Sequence, residues 1–169
     1  MNTGNLTSAV AIIVSLGTLL VFVYQTNLIR KQQYMSVYPY LDLGNYNSGT
    51  KSYRYVLKNN GIGPAILKSV RIQRGNGKVY QDLIDYVEAE GPNWDSAPYY
   101  HANLSLGRLI PANEEVSIIG AWEDIDSTGL RALYQSLNYE DLLIEIEYES
   151  IYEERWKASN QSGIPEKIN

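Results

Sequence analysis

The sequence predicts a mainly β protein: a single N-terminal transmembrane helix followed by an antiparallel β-sandwich carrying one or two short helices. Three observations carry this expectation. The run from Leu6 to Tyr24 is apolar, and no charged side chain precedes Arg30. Beyond it, seven or eight short alternating segments are separated by turn signals about every dozen residues. No regular βαβα alternation appears, which argues against a doubly wound parallel sheet.

At about 1.5 Å per residue the apolar run makes a helix of roughly 28 Å, close to the hydrocarbon thickness of a bilayer. A cleaved signal peptide is the competing reading. It requires a positive n-region and a small-residue cleavage site, whereas Met1–Asn5 has no Lys or Arg and Tyr24–Asn27 has no A-x-A-like site. Tyr24, Arg30 and Lys31 are the expected membrane-interface residues. Basic residues only on the C-terminal side put the N-terminus outside and the C-terminal domain in the cytoplasm, at the inner membrane. The absence of cysteine fits a reducing compartment. Ser8, Ala11, Ser15 and Thr18 form a small or weakly polar stripe that suits helix packing and a homo-oligomer. The plainer alternative is that the hydroxyls bond back to their own helix and face lipid.

The expected division is 1–36 anchor and short stalk, 37–158 β-sandwich, and 159–169 mobile polar tail. The domain's composition is globular, at 44% hydrophobic and 20% charged, with 15 Tyr against one Phe. Tyrosine suits half-buried strand faces, where the ring packs and the hydroxyl stays wet. Pro39 favours extended structure at Tyr38. Tyr40–Leu43, Tyr53–Lys58 and Ala65–Ile72 alternate as strands, and Gly75-Asn-Gly77 turns the chain back into Lys78–Tyr80. Asp82–Val87 has helical spacing, and Gly91–Pro98 reads as a loop. Tyr99–Leu104 and Glu115–Ile119 are further strands, and Asp126 or Ser127 caps a helix over Leu130–Leu137. In Leu142–Glu149, Ile144, Ile146 and Tyr148 point one way and Glu145, Glu147 and Glu149 the other. Ile151–Trp156 returns as a hairpin to a final edge strand.

Pro39-Tyr-Leu41, Leu57-Lys-Asn-Asn-Gly-Ile-Gly-Pro-Ala65 and Ile144–Ser150 with Trp156 resemble segments of small bacterial membrane-anchored proteins. These carry an immunoglobulin-like β-sandwich after one N-terminal helix, and most have no assigned function. The Asn-x-Gly-x-Gly-Pro-Ala core is similar to the B-to-C turn of other bacterial immunoglobulin-like domains. The resemblance implies a fold and a location, and it brings no catalytic residues.

Motifs for chemistry are weak. Gly61-Ile-Gly-Pro-Ala-Ile66 lacks the third glycine of a dinucleotide loop and precedes a strand, so it reads as a tight turn exploiting positive φ. With one His and no Cys, zinc sites built from these residues and cysteine nucleophiles are excluded. Glu114-Glu115 and Glu123–Asp126 are acidic, but the second precedes a helix, where Asp serves as a cap. No catalytic residue, metal or cofactor is expected.

Charge is asymmetric: nine basic residues face one acid up to Val79, and five face eighteen from Tyr80 onward. The plain reading is cross-strand pairing, for example Arg71 opposite the Glu145/Glu147 row. The functional reading is an anion site built from Arg54, Lys58, Lys68, Arg71 and Arg74, since arginine's fork suits phosphate. The expected function is a non-catalytic membrane-anchored binding or scaffolding module that self-associates, with the lipid bilayer and an anionic small molecule or a partner protein as contacts, and no DNA. The alternative is a ligand-gated membrane effector of bacterial anti-phage defence, its domain sensing a cyclic oligonucleotide and its helices perturbing the membrane. An enzyme with a carboxylate-held metal is the least supported class.

Overall fold

The structure is a computed structural model in which residues 3–91 and 99–168 are described. The elements in order are α1 (Thr3–Ser36), β1 (Leu41–Tyr46), β2 (Arg54–Asn59), β3 (Ala65–Arg74), β4 (Val79–Tyr80), α2 (Leu83–Glu90), β5 (Tyr99–His101), β6 (Leu109–Ile110), β7 (Glu115–Ala121), α3 (Ser127–Leu137), β8 (Leu142–Glu149), β9 (Arg155–Ser159) and β10 (Ser162–Ile168). The chain divides into two units, Met1–Ser36 and Val37–Asn169. The loop expected over Gly91–Pro98 lies, apart from Gly91, outside the described residues.

α1 is one uninterrupted helix of 34 residues with none buried, long and apolar enough to cross a membrane. It has no Pro, and each of its two glycines, Gly4 and Gly17, has open space where a Cβ would project.

Two antiparallel sheets make the second unit, in the orders β1-β2-β7-β5 and β10-β9-β8-β3-β4. β6 pairs with the start of β3 and β4 with its end, so these two short strands share one edge of it. A single hydrophobic core draws on both sheets and both short helices: Tyr55 and Leu57 from β2, Ile72 from β3, Ile144, Ile146 and Tyr148 from β8, Tyr86 from α2 and Leu133 from α3. Each such fully buried Leu or Ile contributes about 2 kcal/mol. Asp82 caps α2 and Asp126 caps α3, each accepting from a backbone N–H of the first turn.

Leu41 lies opposite Asn59, Lys58 opposite Glu115, and Ile66 opposite Glu149. The start of β1, the β2–β3 turn, the β6–β7 turn and the β8–β9 turn therefore share one end of the sheets. Val37 follows α1 directly, so this is the entry end. The β1–β2, β3–β4, β7–α3 and β9–β10 turns lie at the far end.

Asn59 organises the entry end. It is fully buried, and its Oδ1 accepts from the N–H of Tyr40 (3.1 Å) and Gly61 (3.0 Å). Its Nδ2 donates to the carbonyls of Gly63 (2.8 Å), Ile110 (3.1 Å) and Pro111 (3.1 Å). One side chain thus satisfies five backbone groups from three segments. The expected reason for Gly61 and Gly63 needs correction. The glycines with positive φ are Gly49, Gly75 and Gly107. Gly61 and Gly63 are required instead by close approach: a Cβ on Gly61 would lie 2.7 Å from the Pro39 carbonyl carbon, and one on Gly63 would lie 2.6 Å from Val37 Cα and closer still to its oxygen.

The expected mobile tail is also corrected. Residues 162–168 form β10, antiparallel to β9, with Glu166 opposite Lys157 and Ile168 opposite Arg155. β9 is therefore not the edge. Asn160 enables the turn by imitating a strand residue, its Oδ1 accepting from Ile144 N–H and its Nδ2 donating to the Leu142 carbonyl, both at 2.8 Å. β10 is the edge strand, where its bulge and Pro165 resist further pairing.

Buried tyrosines give the domain an alkaline limit. Burial raises the phenol pKa of Tyr53, Tyr55 and Tyr148 well above the usual 10, and that of Tyr86 to about 12. A raised folded-state pKa stabilises fully below the unfolded value and loses that contribution as pH climbs through the folded value. Above about pH 10 the domain is therefore expected to unfold with a cooperative burst of tyrosinate absorbance that coincides with loss of circular dichroism. Smooth ionisation of all the tyrosines with the dichroism retained would contradict it.

Candidate functional site: the basic strands and a far-end groove

The five basic residues expected to form an anion site do not converge. Arg54 and Lys58 belong to β2, whereas Lys68, Arg71 and Arg74 belong to β3, in the other sheet. Four of them are engaged by carboxylates: Arg54 with Glu115 at 2.9 Å, Lys68 with Glu149 at 2.6 Å, Arg71 with Glu145 at 4.0 Å and Arg74 with Asp141 at 3.2 Å. Arg71 sits opposite Glu145 in register, as cross-strand pairing predicts, and Lys157 reaches the same carboxylate from the other side at 3.0 Å. Lys58 stands exposed, opposite Asp42 and Glu115 in register. The basic first half and acidic second half thus neutralise each other across strands. These half-exposed pairs contribute little individually, and they set register more than stability.

Arg74 is the most elaborated of the five. Its guanidinium lies 3.6 Å from the centre of the Tyr139 ring and beside a hollow of 300 Å³ that Lys78, Tyr80 and Glu90 also line. Hydrogen bonding to Asp141 holds its charge more firmly.

A larger groove, of 620 Å³, opens at the far end beside Arg54. Its floor is aromatic. Gly120 lies opposite Tyr100 in the β5–β7 ladder, and with no Cβ there the Tyr100 ring lies across β7, where a Cβ would sit 2.8 Å from its ring carbon. Tyr100 in turn meets Trp122, with ring centroids 5.2 Å apart, and Trp122 is half exposed. Lys51, Arg54, Glu123 and Asp124 also line the groove. Arg54 is aimed by three partners: Glu115, the Ser117 hydroxyl at 3.1 Å and the Tyr46 ring at 4.9 Å. The arrangement offers a planar ring a stacking surface with charges of both signs at its rim. Sequence reading reached Arg54 but missed Tyr100 and Trp122. The one available signal was a glycine and a tryptophan closing a strand, Gly120-Ala-Trp122.

Among the described residues, no group of three or more His, Asp or Glu side chains is arranged to hold a metal. Of the acidic clusters, Glu115 is paired with Arg54, and Asp126 accepts from Gly129 N–H at 2.7 Å as the cap of α3. His101 ends β5, exposed.

In α1, Tyr24, Arg30 and Lys31 are exposed. Ser8 Oγ donates to the Gly4 carbonyl at 2.9 Å and Thr18 Oγ1 to that of Val14 at 2.8 Å. Those two hydroxyls of the Ser8, Ala11, Ser15 and Thr18 stripe are thus satisfied within the helix, which frees them from needing a partner without preventing close packing. Comparison with protein-family models, with curated proteins and with solved structures finds no match in any of the three.

Proposed function

We propose that the chain is a membrane-anchored, non-catalytic binding or scaffolding module, self-associating through α1, with an immunoglobulin-like sandwich on the cytoplasmic side. The observation that carries it is α1: a 34-residue apolar helix of which nothing is buried, leaving its surface to be covered by lipid or by other helices. Strand order supports the immunoglobulin-like reading. β1-β2-β7-β5 corresponds to strands A-B-E-D of that fold and β9-β8-β3 to G-F-C, with β4 in the C′ position. The Asn59–Pro64 turn then falls between B and C. Arg30 and Lys31 support the orientation, being the only charges of α1. Protease added to intact spheroplasts is expected to leave residues 37–169 uncut and to digest them after lysis. Digestion from outside would overturn the orientation.

The far-end groove favours a second reading, the ligand-gated effector. A tilted Tyr100–Trp122 pair beside Arg54 and Lys51 combines an aromatic surface for a nucleobase with cations for phosphate. Calorimetric titration of the full chain in detergent with cyclic oligonucleotides tests it. Binding is expected to weaken at least tenfold, about 1.4 kcal/mol, in Trp122→Ala and Arg54→Ala, and to be unchanged in Arg71→Ala on the other sheet. No heat with any of these ligands would leave the scaffold reading alone.

A further inference from the structure

Turns ordinarily carry Gly, Pro, Asn, Asp or Ser at their tips, and the far end of the domain obeys this: Asn47–Ser52, Gly75-Asn-Gly77 and Asn160-Gln161 are polar throughout. The half-exposed indole of Trp122, at that end, packs at a tilt against Tyr100 in the groove. The entry end departs from the pattern twice. Ile62 is at the tip of the β2–β3 turn, and Ile151 and Tyr152 are the central residues of the β8–β9 turn. The two aliphatic side chains are 65% and 51% exposed, and Leu109, opposite Ile66 near the start of β3, is half exposed. Neither tip is needed for the core. Each turn is already held by backbone bonds: Ile62 N–H to the Tyr38 carbonyl at 3.0 Å, and Glu153 N–H to that of Ser150 at 3.0 Å. Two separate turns therefore present apolar tips at one end, and it is the end at which the chain arrives from α1.

We infer that the entry-end turns, through Ile62, Ile151 and Tyr152, rest in the interfacial layer of the bilayer that α1 crosses. The inference rests on the membrane-span reading above. Chain continuity supports the bilayer as occupant: only five residues separate Lys31, in the basic pair, from Val37, the first residue of the domain. The chemistry agrees. Aliphatic tips with a tyrosine among them suit the boundary between headgroups and acyl chains. The neighbouring charges are of both signs, Lys58, Arg108 and Arg155 against Glu114 and Glu153, so the contact is apolar rather than an attraction to anionic lipid.

The chain has no cysteine, so single cysteines carrying an environment-sensitive fluorophore report one site each. Full-length protein with Ile62→Cys or Ile151→Cys is reconstituted in phosphatidylcholine–phosphatidylglycerol vesicles containing lipids spin-labelled at shallow or deep acyl positions. Phe22→Cys within α1 and Asn76→Cys at the far end are the references. The two tip probes are expected to be quenched by the shallow label at least about twofold more than the Asn76 probe, equally in low salt and in 1 M salt, as apolar insertion of about 5–10 Å requires. The Phe22 probe is expected to be quenched by the deep label. A quenched Phe22 probe with tip probes no more quenched than Asn76 overturns the inference and leaves the span intact. An unquenched Phe22 probe removes the span itself. Tip probes that lipid labels do not quench, but that are shielded from aqueous iodide, overturn the inference in favour of a second copy or another protein on this end.

Discussion

Gly63→Ala is expected to destabilise the β domain by about 3 kcal/mol or more, and Gly61→Ala by a similar amount, without any change at a ligand groove. The reason is room rather than backbone conformation. Even a methyl group at 63 would overlap the carbonyl of Val37, and at 61 the peptide that joins Tyr38, Pro39 and Tyr40. Backbone atoms cannot rotate aside as a flexible side chain can. To accept the methyl, the segment entering β1 must move away from the β2–β3 turn, and the bond from Ile62 N–H to the Tyr38 carbonyl at 3.0 Å is strained or lost with it. Gly44→Ala is the matched control. It lies in β1 with open space where its Cβ would go, so it is expected to be neutral or to stabilise by up to about 1 kcal/mol by restricting the unfolded chain. Urea denaturation of the three variants checks this, and Gly63→Ala unfolding at the parent's midpoint would sink the close-approach account.

Asn59 carries the second large effect. Asn59→Ala leaves two buried N–H groups and three carbonyls without their partner, and is expected to cost about 3–5 kcal/mol. Asn59→Asp is the more informative change, because it keeps the size and the acceptor. It brings a carboxylate oxygen against the carbonyls of Gly63, Ile110 and Pro111, where Nδ2 had donated. That contact and full burial both disfavour the anion, so the folded-state pKa of the new carboxyl lies above the ordinary value of about 3.9. Stability is then present below that value, where the protonated acid can donate, and is lost as pH rises through the folded value. The variant is expected to approach the parent near about pH 4 and to be severely unstable near about pH 7. Parallel stability curves for parent and variant across that range would refute the assigned roles of Oδ1 and Nδ2. Because Asn59 binds the Gly63 carbonyl directly, the Gly63 and Asn59 substitutions are expected to combine to less than their sum.

These two residues also mark how far the sequence could be read. The spacing of Asn59, Gly61, Gly63 and Pro64 stood out as a special turn, but its cause did not, because the segment that crowds the glycines, Val37–Tyr40, meets them only in the fold. β8 was legible because its alternation is a local property: Ile144, Ile146 and Tyr148 are buried in the order the pattern requires. The cap of α3 by Asp126 was local too. β10 was illegible, since Gly163 and Pro165 interrupt any alternation and the hairpin depends on Asn160 acting as a surrogate strand residue. The basic residues were counted correctly and grouped incorrectly. Which carboxylate answers Lys68 or Arg54 depends on register between distant strands, and that information is spread over both partners. The groove is the extreme case, because Tyr100 and Trp122 become neighbours only when β5 pairs with β7.

The pairing of β3 with β8 also has a consequence during synthesis. The central ladder of the second sheet joins Ile72 to Ile144, so β3 leaves the ribosome with its principal partner still untranslated. At about 5–20 residues per second this gap lasts several seconds. The sheet of β1, β2, β7 and β5 is complete once Ala121 has been made, whereas β3 and β4 wait for β8. Distant pairing of this kind is slow in its own right. Factors that shelter unpaired strands would act on β3 during that interval.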